Sequence, residues 1–242
     1  MLRPFGVIAI ASMIALSSCG GGGSNANYCA VQPVKNGPIG LLGDSWTVGP
    51  GPNQPTLYRG FIDNGFRSEL INSSWLGTSG QVLSYLDGII AKGGSLSQYG
   101  ALVITTGGND MAQGIPTETI INNMISIGND CSQLGVRCFI PTYPELSAMK
   151  NNKVTIATPS VDAPMYDIAA SQCKNIEVIH GATESILAHF QDWATNYIQP
   201  SYENVNMVPG SLTENYSSDV PHPNVEGEKA LAFYLQSRIS NK

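Results

Sequence analysis

From about Pro38 onward, short apolar runs alternate with stretches whose apolar residues recur every three or four positions. That alternation is the mark of a parallel sheet covered on both faces, since parallel strands are joined by crossovers that are usually helical. Five strands are predicted: Ile39 to Gly43, about Ser68 to Asn72, Ala101 to Thr106, Arg137 to Thr142, and Ile176 to His180. Helical periodicity marks Val82, Leu86, Ile89 and Ile90, then Ile120, Met124 and Ile127, then Ile186, Phe190, Trp193 and Tyr197. A last helix is expected after Asn224 as N-cap, with Glu226 and Glu228 in its first turn and a core stripe through Leu231, Leu235 and Ile239. Pro50 to Pro55, Pro144 to Pro159 and Gln199 to Ser218 read as loops. With 242 residues, 42% of them apolar, the chain suffices for one sizeable core and gives no sign of two.

In an open α/β sheet, ligands bind outside the carboxyl ends of the strands. Three short segments fall there. GDSWTVG (Gly43 to Gly49) follows the first strand, TSGQ (Thr78 to Gln81) lies past the second, and GGND (Gly107 to Asp110) follows the third. A fourth, DVPHPN (Asp219 to Asn224), lies near the C-terminus.

Together they contain the parts of an acyl-transfer centre. A serine hydroxyl needs a base to become nucleophilic, and a glycine-flanked turn at a strand end exposes it, which singles out Ser45. The plainer reading of Gly43-Asp44-Ser45 is a helix start capped by Asp44 or Ser45. The histidines are His180, His189 and His222. His189 falls within a helical pattern, and His180 lacks an acidic partner at short spacing. Asp219 precedes His222 by three residues in a turn stiffened by Pro221 and Pro223, so its carboxylate can orient the imidazole. Developing charge on a substrate carbonyl needs donors, for which the Ser45 and Gly80 backbone N–H groups and the Asn109 side chain are candidates. Gly77 competes with Gly80 for that role.

These four segments, in this order, resemble the signature blocks of the SGNH (GDSL-type) hydrolases over about Pro38 to Lys242. The match of Ser79-Gly80 to the second block favours Gly80 over Gly77. The resemblance implies a flavodoxin-like three-layer α/β sandwich: a five-stranded parallel sheet in the order 2-1-3-4-5 with helices on both faces. It also implies Ser45 as nucleophile, His222 as base, Asp219 orienting it, and Ser45, Gly80 and Asn109 as the oxyanion hole, with no metal or cofactor. Two departures stand where substrate would lie. Trp46 replaces the leucine common after the serine, and Gln81 replaces an acidic residue after the second-block glycine. Trp46 and Tyr143 suggest an apolar or sugar-stacking wall, with core packing as the alternative. The expected activity is hydrolysis of a carboxylic ester: an acetylated carbohydrate, a short-chain or aryl ester, or a lysophospholipid. An envelope acyltransferase and a catalytically silent binding module are the alternatives.

The N-terminus reads differently. Arg3 precedes an uncharged run from Phe5 to Leu16, shorter than the roughly 20 apolar residues of a spanning helix. It ends in Leu16-Ser17-Ser18-Cys19, which resembles a bacterial lipobox. Residues 1–18 are therefore expected to be a lipoprotein signal peptide. Residues 19–37 would hold a lipidated Cys19 and a Gly/Ser/Asn-rich tether, and residues 38–242 the hydrolase domain. Gly20 after the cysteine favours the outer membrane of a bacterial envelope, periplasmic or surface-facing. Loss of Arg3 leaves 11 basic against 18 acidic residues, a net of −7, which argues against a nucleic-acid partner and fits a small-molecule or glycan ester. Cys29, Cys131, Cys138 and Cys173 form an even set in an export context, with no CxxC pair to suggest zinc. Cys131 to Cys138 is the favoured bridge and Cys138 to Cys173 its rival. All four fall near strand starts or helix ends, at the sheet edge opposite the active-site segments.

Overall fold

The computed structural model describes residues 29–48, 56–142, 163–179 and 225–242. Five strands form one parallel sheet in the order β2-β1-β3-β4-β5. They are β1 (Ile39–Gly43), β2 (Ser68–Leu70), β3 (Ala101–Thr105), β4 (Cys138–Pro141) and β5 (Ile176–Ile179). Ile39 pairs with Ser68 on one side and Ala101 on the other, so the central strands start nearly level and end nearly level. Every residue of β1, β3 and β4 is buried, as expected of strands covered on both faces.

The helices are α1 (Leu57–Asp63), α2 (Ser79–Ala91), α3 (Gly108–Ala112), α4 (Thr117–Gln133), α5 (Ala163–Gln172) and α6 (Val225–Ser240). α1 packs on α6, whereas α2 packs on α4 and α4 on α5. Right-handed crossovers put these two groups on opposite faces of the sheet. Apolar stripes turn each helix inward: Val82 and Leu86 of α2, Ile120, Met124, Ile127 and Cys131 of α4, and Leu231, Leu235 and Ile239 of α6 are buried. Burial of each large side chain contributes about 1.5–3 kcal/mol.

β2 stops at Leu70, short of the predicted Asn72. The chain leaves the sheet there after one last bond from the Ile71 N–H to the Leu41 carbonyl (3.0 Å), and Asn72 accepts the Ser74 N–H at 2.9 Å in a local turn. The predicted helix through Ile186 to Tyr197, the three predicted loops and His180 lie outside the described residues.

Two disulfides form, Cys131–Cys138 and Cys29–Cys173. The favoured pairing holds and its rival does not. Both bridges lie at the edge where the strands begin. The N-terminal segment is stitched along that edge: the Gln32 N–H donates to Asn175 Oδ1 (2.8 Å), and the Lys35 ammonium donates to the Gly135 carbonyl (2.8 Å). The buried Asn175 amide donates in turn to the Val136 carbonyl (2.9 Å). A bridge spanning 144 residues, such as Cys29–Cys173, removes much chain entropy from the unfolded state.

Candidate active site

β1 ends at Gly43, with φ 146°. A Cβ there would collide with the backbone and Oγ1 of Thr105, so glycine is what lets the ends of β1 and β3 meet. The chain then turns: the Thr47 and Val48 N–H groups donate to the Asp44 carbonyl at 3.0 and 3.1 Å. Side chains lock this turn from beneath. Asp44 Oδ1 accepts the Trp46 N–H (3.1 Å) and the Thr105 hydroxyl (2.9 Å). Thr105 Oγ1 in turn accepts the Asp44 N–H (3.2 Å), and its only proton being spent on Asp44, it accepts the Thr47 hydroxyl as well (2.7 Å). Asp44 does cap the turn, as the plainer reading of the sequence had it, and that capping holds Ser45 at the carboxyl edge of the sheet. Ser45 itself is largely buried.

The second segment begins α2. Thr78 is its N-cap, and a capping box forms: Gln81 Oε1 accepts the Thr78 N–H at 3.1 Å while the Thr78 hydroxyl accepts the Gln81 N–H. Gln81, a departure from the family pattern, therefore serves the helix start. Gly80 is exposed in the first helical turn, where backbone N–H groups have no intrahelical acceptor, whereas Gly77 is buried. Leu76 ties this segment to the first, its N–H donating to the Gly43 carbonyl at 3.0 Å.

The third segment follows β3. Gly107 takes φ 98°, and a Cβ there would stand 2.7 Å from the Tyr166 hydroxyl, which donates to the Thr106 carbonyl (3.0 Å). Asn109 is half-buried on α3. Its neighbour Asp110 is fully buried and grips Ser79 twice, accepting the N–H at Oδ2 (2.8 Å) and the hydroxyl at Oδ1 (2.5 Å). Asn123 of α4 completes the network by donating to Ser79 Oγ at 2.9 Å. The residues just before Gly80 and just after Asn109 are thus held together by a buried carboxylate. Three of the four sequence segments meet at one sheet edge. Sequence reasoning gave neither Ser79 nor Asp110 a role of its own, although they adjoin the two candidate donors.

Asp219 and His222, like Cys19, lie outside the described residues. Val225, three residues after His222 in sequence, begins α6. That helix packs on α1, whose Leu57 N–H donates to the Trp46 carbonyl at 2.8 Å. Trp46 is only 5% exposed and belongs to the core rather than to a substrate wall. Tyr143 lies outside the described residues. The exposed aromatic beside these segments is Trp75, at 54%, directly before Leu76. Among the described residues no group of three or more His, Cys, Asp or Glu side chains is arranged to hold a metal ion.

No family model and no curated protein matches this sequence. Solved structures do match it. A member of the lipolytic G-D-S-L family from Veillonella parvula superposes with TM-score 0.54 at 17% identity, over 82% of this chain and 96% of that one. The chain has the fold of this lipolytic G-D-S-L structure. TesA gives TM-score 0.51 at 18% identity over 82% and 96%. The psychrotrophic esterase EstA from Pseudoalteromonas gives TM-score 0.51 at 15% identity over 85% and 98%. A GDSL fold accounts for the sheet order 2-1-3-4-5 and for the gathering of the first three segments at one edge.

Proposed function

We propose that the protein is a carboxylic ester hydrolase that works through an acyl-enzyme on Ser45. The observation that carries the reading is the hydrogen-bonded junction of the first three segments. Asp44 and Thr105 hold the serine turn against β3, and Asp110 clamps Ser79 so that Gly80 and Asn109 are neighbours. The names of the structural relatives, lipolytic G-D-S-L protein and esterase among them, support the same chemistry.

In this mechanism His222, oriented by Asp219, takes the Ser45 hydroxyl proton as Oγ attacks the ester carbonyl. The oxyanion that forms is met by the backbone N–H groups of Ser45 and Gly80 and by the Asn109 side-chain amide. Collapse expels the alcohol, which receives the proton from His222. Water, deprotonated by the same imidazole, then attacks the acyl-serine and regenerates the enzyme. The substrate is an acetylated carbohydrate, a short-chain or aryl ester, or a lysophospholipid. The lipobox at Cys19 supports an envelope location, with the enzyme tethered to the outer membrane.

Hydrolysis of p-nitrophenyl acetate by wild type and Ser45→Ala tests this. The variant should lose at least about 10³-fold in kcat, as triad nucleophiles do. Equal rates for the two proteins would end the proposal.

A further inference from the structure

Glu228 lies in the first turn of α6, only 1% exposed, and both its carboxyl oxygens are sealed from solvent without a hydrogen-bond partner. Helix-start acids usually face water, where they complement the helix dipole. This one is driven inward because α6 is clamped on α1. The Glu228 carbonyl rests against Gly60, where no Cβ would fit, and the Asn64 amide bridges the Gly60 and Lys229 carbonyls at 2.9 and 2.8 Å. An apolar side chain of the same size would pack there at no polar cost, so packing does not explain an acid.

Burial acts on Glu228 first, and the nucleophile turn second. Burial pushes its carboxyl well above the ordinary 4.5, and the charge of Asp44, the residue before Ser45, pushes it further the same way. Among the described residues, no other ionisable group contributes to that shift. α1 carries Tyr58, Arg59 and Asp63, of which Arg59 and Asp63 pair with each other at 2.7 Å on the outer side. Lys229 adjoins Glu228 on α6 itself. A second negative charge beside Asp44, at a position sealed from solvent, would force the first turn of α6 away from the serine turn.

We propose that Glu228 is a positioning residue that works as a neutral acid: uncharged, it lets the helix that follows His222 dock beside the turn that carries Ser45. This rests on the ester-hydrolase reading of those two residues. Loss of the Glu228 proton to solvent undocks the start of α6 from the serine turn, so turnover falls as pH rises through that ionisation while substrate contacts at the Gly80 and Asn109 segments persist.

The test compares full-length wild type, Glu228→Gln and Glu228→Leu between pH 5 and 10. It reads kcat and KM on p-nitrophenyl acetate, with Ser45→Ala as the blank, and urea midpoints over the same range. Wild-type kcat should fall about tenfold per pH unit above the ionisation, with KM changing less than about threefold. The Gln variant should vary less than about threefold in kcat over the interval in which wild type falls, and its urea midpoint should lose the downward slope seen in wild type. If the Gln variant does not fold, the Leu variant, which is also neutral, takes its place. Superimposable kcat profiles in an active wild type and variant overturn the proposal, even if the midpoints differ, because Glu228 would then be only a structural acid. A wild type inert toward every ester sinks the hydrolase reading instead, and the positioning role with it.

Discussion

Asp110→Asn tests the junction on which the candidate site depends. The native carboxylate accepts two hydrogen bonds from one residue, the Ser79 N–H and hydroxyl, in a fully buried position. Hydrogen bonds to a charged group contribute about 1.5–3 kcal/mol each, and neutral ones about half that. An asparagine can keep its oxygen on the Ser79 N–H, but its amide nitrogen then faces Ser79 Oγ, which already accepts from Asn123. The serine hydroxyl is left with no acceptor in that network. The net loss is about 2–3 kcal/mol, or roughly 5–10 °C in melting temperature for a chain of this size. Turnover should fall as well. Slackening the link between Gly80 and Asn109 misplaces both proposed oxyanion donors at once, so kcat should drop about tenfold or more with KM within about threefold. Thermal melts followed by circular dichroism and steady-state kinetics on p-nitrophenyl acetate measure both. A variant that melts within about 2 °C of wild type and keeps half its kcat would refute the reasoning.

Asn109→Ala should lower kcat by about 10²–10³, as loss of an oxyanion donor does, and a loss under tenfold on the same assay would reassign the side chain to structure. Asp130 of α4 makes a separate prediction about stability. Burial first, then the charge of Asp87 and a hydrogen bond to it, raise Asp130 from 3.8 to about 7. Folding therefore retains a proton that the unfolded chain releases, and this group's contribution to stability declines as pH rises from about 4 to 7, then levels off. Asp130→Asn should remove that decline, so its melting temperature should gain on wild type across this interval and not beyond. A constant difference from pH 4 to 7 would contradict the shared proton.

The sheet was legible because the central strands β1, β3 and β4 are short apolar runs, and the helices α2, α4 and α6 because their stripes keep period through several turns. α1, α3 and α5 were not. α1 and α3 are too short to show a period, and α5 (APMYDIAASQ) mixes small and polar residues so evenly that no stripe stands out. Cys131 and Cys138 could be paired because seven residues separate a helix end from a strand start, while Cys29 meets Cys173 only through the folded sheet. Ser45, Gly80 and Asn109 could be singled out as candidates from their motifs, whereas the buried bonds of Asp44, Thr105, Ser79 and Asp110 that hold their segments depend on tertiary contact. Trp46 and Glu228 mislead for one shared reason: α1 closes over the serine turn and the start of α6, and no local pattern announces that lid of packing.

The polarity of the sheet has a consequence for how the molecule would sit on a surface. Cys29 is riveted to Cys173 where the strands begin, while Ser45, Gly80 and Asn109 stand where they end. Anything attached upstream of Cys29 pulls on the back of the molecule. Nine residues lie between Cys19 and Cys29, a leash of at most about 35 Å at full stretch. On the proposal that Cys19 carries acyl chains, the attachment would reach the domain at the sheet edge opposite Ser45, Gly80 and Asn109, leaving that edge unobstructed by the anchor.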